Sequence, residues 1–179
     1  MNRKFAPSQI LFHWTIFILV VLTYAAMELK GFAAKGSDIR ELMKTIHYTL
    51  GVSVMILMLI RIILKVTHKD PAITPTPPRW QLVLSKAVHG ILYLLFISLP
   101  LLGVLSLYYG HVEWSFFSYA MPVAVENTEN SIMQHDLKEI HELIANTGYF
   151  IVGLHAAAAI FHHYIMRDNT LLRMLPGKH

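Results

Sequence analysis

Four histidines stand inside apolar stretches of this chain, one in each: His13, His47, His89 and His155. An ionisable ring is costly inside hydrocarbon, so such a residue marks a functional position by default. Imidazole nitrogen is an axial ligand for haem iron, and two rings can hold one iron from opposite faces. One inward histidine on each of four helices is what a bundle needs to hold two such irons. A lone intramembrane histidine is as readily explained by a bond to a neighbouring helix. Four separate segments supplying one each make coincidence a poor account.

The rest of the composition suits that chemistry. Of 179 residues, 55% are hydrophobic and 15% charged, with a mean hydropathy of +0.48. Soluble domains carry about 25% charged residues. The chain therefore reads as one integral membrane domain over residues 1–179, with no room for a separate soluble domain. There is no cysteine, which excludes disulfides, cysteine-ligated iron–sulfur centres and covalent C-x-x-C-H haem attachment. Haem in this chain would be non-covalent, b-type and held by histidine or methionine.

Four apolar segments would position the histidines: about Gln9–Leu29, Met43–Val66, Val83–Tyr109 and Ile140–Met166. Each approaches or exceeds the ~20 residues a helix needs to cross hydrocarbon. Backbone groups in lipid must pair internally, so each reads as a helix. The fold class expected is all-α, a four-transmembrane-helix up-down bundle. The first segment is too long for a typical signal-peptide core and reads as a retained span. Between segments, Gly31–Gly36 is a turn, and Asp70–Arg79 holds Pro71, Pro75, Pro77 and Pro78 and cannot be helical throughout. The third joint, Gly110–Glu139, contains the aromatic stretch Trp114–Met121, suited to the membrane interface.

With the amino terminus in the cytoplasm, that side owns Arg3, Lys4, Lys65, Lys69, Arg79, Lys86, Arg167, Arg173 and Lys178. The other side owns Lys30, Lys35, Arg40, Lys44 and Lys138. This bias places both termini inside. The net charge of +4 thus reflects topology, and nucleic-acid binding is not indicated.

Depth within the spans orders the ligands in part. His13 lies about one turn inside the cytoplasmic end of the first helix, and His47 lies near the outer end of the second. His89 and His155 fall nearer the middle, and depth alone leaves open which joins which. Gly51, four residues after His47 on the same face, gives room for a flat macrocycle. Gly90, Gly103 and Gly153 serve either that purpose or plain helix packing. Arg61 is the one permanent cation well inside a span, and its fork suits a haem propionate. His162, two turns beyond His155, suits a quinone carbonyl or a proton relay. His141 is in phase with His155 but about 21 Å away along the helix. It is a reserve candidate for the outer haem or for support of its ligands. His163 points elsewhere. His68, His111, His135 and His179 read as loop or tail residues.

These motifs, in this order, resemble the bacterial cytochrome b561 family. The likeness runs through His13-Trp14, His47-Tyr-Thr-Leu-Gly51 with Arg61, His89-Gly-Ile-Leu-Tyr93 with Pro100, His141-Glu142, His155-Ala-Ala-Ala, His162-His163 and the tail Asp168-Asn-Thr-Leu-Leu-Arg173-Met. It implies two b haems stacked across a bacterial inner membrane. By that likeness His13 with His155 binds the cytoplasmic-side haem, and His47 with His89 the outer one. The short stand-alone members that it looks most like are superoxide:ubiquinone oxidoreductases. Their activity implies that superoxide is oxidised to dioxygen at the periplasmic haem and that ubiquinone is reduced near His162.

An anionic substrate is drawn by positive potential. The outer side carries five basic residues against eight acidic ones, so only the local group Lys30, Lys35, Arg40 and Lys44 is suited to steer superoxide. A second redox reading is a haem subunit serving a protein partner such as a hydrogenase or dehydrogenase. The likeness to the short members counts against it. A different class, a haem-free metal-ion or proton transporter, lacks the intramembrane carboxylates such a path needs, apart from Glu28 and Glu142 near span ends.

Overall fold

Pro7 opens the first helix at the position where a missing N–H costs nothing, and the Gln9 side chain accepts from the Ala6 N–H at 3.2 Å. Helix α1 runs Pro7–Lys30. Ser37 caps α2 (Asp38–Thr67) by accepting from Arg40 N, and Asp38 and Glu41 in the first turn complement the helix dipole. The proline-rich joint ends at Pro78, and α3 spans Arg79–Tyr109 with Pro100 in its interior. Asn127 caps α4 (Thr128–Phe161) through Asn130 N at 2.8 Å. A π-helical turn, His162–Met166, and a short 3₁₀ turn, Leu172–Met174, complete the chain. The computed structural model describes residues 4–177. Arg3, Lys178 and His179, which entered the charge and histidine readings, lie outside the described residues.

All four long helices have the length and apolarity to cross a membrane. Three begin well ahead of their expected bounds, among them α3, which starts at Arg79 and not Val83. The helix α2 starts at Asp38, before the apolar run at Met43. The helix α4 starts at Thr128, about three turns before Ile140. Those early turns are polar because they project beyond the apolar segment, and His135 belongs to them and not to a loop. The aromatic stretch forms a small antiparallel hairpin, β1 (Ser115–Phe116) with β2 (Tyr119–Ala120), in register Ser115↔Ala120 and Phe116↔Tyr119.

Sequential helices pack on one another: α1 on α2, α2 on α3 and α3 on α4. The core is a single cluster of Ile16, Val20, Val54, Met58, Leu92, Leu95, Phe96 and Leu99. Large apolar side chains such as Phe150 and Leu154 point outward, as lipid-facing residues do. Little backbone packing joins α4 to α1 or α2. Those gaps are crossed by side chains, and the histidines lie in them. One close approach closes the bundle. Tyr24 Oη donates to Ala145 O at 2.9 Å, and a Cβ on Gly148 would lie 2.6 Å from that hydroxyl.

Gly148→Ala should therefore destabilise the bundle by about 1–3 kcal/mol, read as a lower melting temperature in detergent. Adding Tyr24→Phe should recover part of the loss. An alanine variant as stable as the parent would show that this approach does not hold α1 to α4.

Candidate functional site

The structure gathers the histidines into two groups at opposite ends of the bundle. At one end, His47 on α2 faces His141 on α4, with ring centres 6.2 Å apart and planes at 77°. Each ring is fixed from behind. His47 Nδ1 donates to Thr23 O at 3.0 Å, and His141 Nδ1 donates to Leu99 O at 2.8 Å. With Nδ1 committed to a carbonyl, Nε2 is the nitrogen left for a ligand.

Both rings line a cavity of about 560 Å³. Gly51 presents bare backbone to it, since a Cβ there would meet nothing within 4 Å. Gly103 lines it too, and a Cβ at that position would press on His141 Cε1 at 3.2 Å. Gly90 and Gly153 line neither cavity described here. The hairpin's neighbour Trp114 packs on Tyr48 at 5.8 Å and helps close the cavity.

At the other end, His13 on α1 and His155 on α4 have ring centres 6.3 Å apart, planes at 81°. His89 on α3 joins them, 5.1 Å from His155, with Nδ1 donating to Ser85 O at 2.6 Å. Arg61 also lies here, its guanidinium donating to His13 Nδ1 at 2.7 Å. The space these residues enclose is small, about 70 Å³.

The grouping of the histidines differs from the expected pairing in one place. His89 does not meet His47. It stands at the His13 end, and His141 takes the place facing His47. The cause is the length of the helices. The start of α3 at Arg79 leaves His89 about three turns from one end, and the start of α4 at Thr128 carries His141 well inside the helix. The sequence signal for His141 was its phase with His155.

The basic residues separate as well. Lys30 and Lys44 line the large cavity, joined by Lys138 from α4. Lys44 is paired with Glu41 at 2.7 Å, and Lys138 lies 3.8 Å from Glu142. Arg40 instead closes the end of α1, donating to Lys30 O and Ala33 O. Lys35 is an exposed residue of the α1–α2 joint and lines neither cavity. Near the large cavity's rim, Tyr149 donates to Glu28 at 2.8 Å and packs against Tyr24, with ring centres 4.4 Å apart and planes tilted at 57°. His162 stands beyond His155 in the π-turn, its Nδ1 donating to Asp168.

Two imidazoles on opposite sides of one iron, with bonds of about 2 Å and ring centres about 1.1 Å further back, stand about 6 Å apart. The His47–His141 and His13–His155 separations match this span, and His89–His155 is shorter. The donor chemistry suits haem iron at both ends. Space suits it as it stands at the His47 end only. At the other end Arg61 and His89 would have to move aside.

Comparison with known proteins agrees with this chemistry. Residues 4–177 match the family model described as prokaryotic cytochrome b561. The chain is 47% identical over 178 residues to cytochrome b561 homolog 1 of Escherichia coli (strain K12), covering 99% of each chain. It is 39% identical over 178 residues to the probable superoxide oxidase CybB of Yersinia pestis, again covering 99% of each. It is 28% identical over 171 residues to cytochrome b562 of Cereibacter sphaeroides, covering 93% of this chain and 92% of that one. A bacterial membrane protein with four long apolar helices, the chain belongs to the prokaryotic cytochrome b561 family, whose members bind haem b and carry electrons in membranes.

Proposed function

We propose that the chain binds two b haems, one held by His47 and His141 and the other by His13 and His155, and links superoxide oxidation to ubiquinone reduction across the bacterial inner membrane. The observation that carries the haem assignment is the pair of matching ring separations, 6.2 and 6.3 Å, each between α4 and a different helix. When bound, bis-histidine haem supplies one-electron transfer without an open coordination site. Both termini lie in the cytoplasm by the charge bias of the loops. The His47–His141 site then faces the periplasm and the His13–His155 site the cytoplasm.

The chain's own residues prepare these sites. Thr23 O and Leu99 O hold the outer rings in the tautomer that leaves Nε2 free. His13 is different, because Arg61 donates to its Nδ1. Coordination through Nε2 leaves that nitrogen protonated, so Arg61 must release the ring. A guanidinium freed inside the membrane needs an anion, and a haem propionate meets that need. His89 is a neighbour of this site and not a ligand.

Superoxide as donor is supported by the likeness to a relative named probable superoxide oxidase and by lysines at the mouth of the outer cavity. Lys30 is the best placed, for no carboxylate lies within salt-bridge distance of it among the described residues. Lys44 and Lys138 stand beside it. Ubiquinone as acceptor would meet His162 at the cytoplasmic end. The service of a protein partner such as a hydrogenase or dehydrogenase is the alternative. It is distinguished by whether the isolated chain turns over with superoxide and quinone.

Pyridine haemochrome analysis of the purified chain should give two haems. His47→Ala and His141→Ala should each retain only the inner haem, and His13→Ala and His155→Ala only the outer, while His89→Ala keeps both. Loss of the outer haem from His89→Ala, with retention in His141→Ala, would restore the pairing first expected from the family likeness.

With a superoxide source and ubiquinone, dioxygen and quinol should rise together, two of the former per quinol. Lys30→Gln should slow the reaction several-fold at low ionic strength and much less at about 1 M salt, where charge is screened within about 3 Å. An equal loss at both salt concentrations would rule out steering.

A further inference from the structure

Past α4 the chain turns back on itself. The π-turn His162–Met166 ends at Arg167, which takes the left-handed conformation (φ 53°), and the next residue returns toward the helix. That residue is Asp168, 5% exposed. Its Oδ2 accepts from His162 Nδ1 at 2.5 Å, its Oδ1 accepts from Thr170 N at 2.8 Å, and its own N–H donates to His162 O at 3.2 Å. Burial by itself would raise the carboxyl, but the hydrogen bonds from His162 and Thr170 outweigh it and hold Asp168 below the ordinary carboxylate range.

The carboxylate cannot swing away, because the tail that carries it is fastened on every side. Asn169 N donates to Thr74 O at 3.1 Å, and Thr74 N donates back to Asn169 Oδ1 at 2.8 Å. Arg173 is buried, donates to Pro71 O and lies 5.2 Å over the Phe5 ring. Trp14 Nε1 donates to Met174 O at 2.8 Å. A surface tail has no need of so many ties, and a buried carboxylate facing one imidazole is a costly feature to keep without use.

We propose that Asp168 is a positioning residue for His162 in the quinone step: by holding Nδ1 as donor, it leaves Nε2 as the one ring nitrogen able to pass a proton to a quinone carbonyl oxygen. This rests on the quinone reading above. Reduction of the quinone to quinol takes two electrons and two protons. The electrons are those released as two superoxide ions become two dioxygen molecules. Both protons come from the cytoplasmic water, one of them by way of His162 Nε2, which is reprotonated from the same side.

The test uses the haem-loaded chain in detergent, a superoxide source and ubiquinone-1. Asp168→Asn keeps the shape but presents either end of the amide to the ring, so the tautomer is no longer dictated. It should keep the haem spectrum and melting temperature, leave KM for ubiquinone-1 within about twofold, and lower kcat about tenfold or more. Asp168→Glu should regain a large part of that loss. His162→Gln should lose at least as much, and the double variant His162→Gln/Asp168→Asn no more than His162→Gln alone, because the two act as one unit. A wild-type kcat in Asp168→Asn with a crippled His162→Gln would overturn the role of Asp168 and leave the quinone reading standing. Loss of haem or of melting temperature in step with rate, or additive losses in the double variant, would likewise make Asp168 a structural residue only. A wild-type rate in His162→Gln would instead sink the quinone reading at this end, and the Asp168 role with it.

Discussion

An imidazole placed in hydrocarbon has two nitrogens to satisfy, and water is not there to do it. The protein meets this need in a divided way. For His47 and His141, one nitrogen is bonded to a main-chain carbonyl of another helix. The second is left toward open space. A helix carbonyl ordinarily serves its own helix, so the bond to Thr23 O joins α2 to α1, and the bond to Leu99 O joins α4 to α3. The ring orientations, the helix contacts and the free nitrogens are settled by the same two bonds. Close backbone packing between α4 and α2 is then dispensable, and its sparseness leaves room that a planar cofactor would need.

The inner end obeys the same constraint with a different solution. Three rings and one guanidinium stand together there: Arg61 donates to His13, His89 donates to Ser85 O of its own helix, and the His155 ring packs edge-on between His13 and His89. Arg61 answers His13 at the cost of the nitrogen that a metal ligand keeps protonated. The outer rings draw their support from the backbone behind them and so stay apart. At the inner end only His13 and Arg61 bond to each other, and the four groups crowd together.

Much of this was legible in the sequence. Hydropathy located four spans, and the missing cysteines restricted haem attachment to a non-covalent kind. Lys30, Lys44 and Arg61 were identifiable as cations near or within the spans. His141 was legible only as a reserve candidate, for a physical reason. Hydropathy reports where a helix is apolar and says nothing of where it begins. The polar turns from Thr128 put His141 well inside a long helix, whereas the apolar run put it at the very edge. Depth in the apolar run left the partner of His89 open, and its pairing with His47 came from the family likeness; the start of α3 at Arg79 sets His89 about three turns from that end of the helix. His141 and His155, fourteen residues apart, share one face of α4, as their spacing predicts, and that face meets the helices that carry His13 and His47. Tail contacts such as Asp168 with His162 rest on a left-handed residue at Arg167, for which the sequence offers no glycine or asparagine as a sign.

The charge on the outer face shows why a residue count is a poor guide to substrate steering. By composition that side is acidic. In the structure several acids are already engaged: Glu41 with Lys44, Glu142 near Lys138, and Glu28 with the Tyr149 hydroxyl. A small anion responds to the potential within about 8–10 Å of its path, because salt screens what lies further away. Along that path lie Lys30, Lys44 and Lys138, drawn from three different helices to the rim of one cavity. Glu113, Glu126 and Glu129 do not line it. The remote acids keep the face as a whole negative without governing the mouth. Attraction of an anion to the cavity and a net acidic surface at this end of the bundle are therefore compatible, provided the lysines act at the rim and not through the sum of charges.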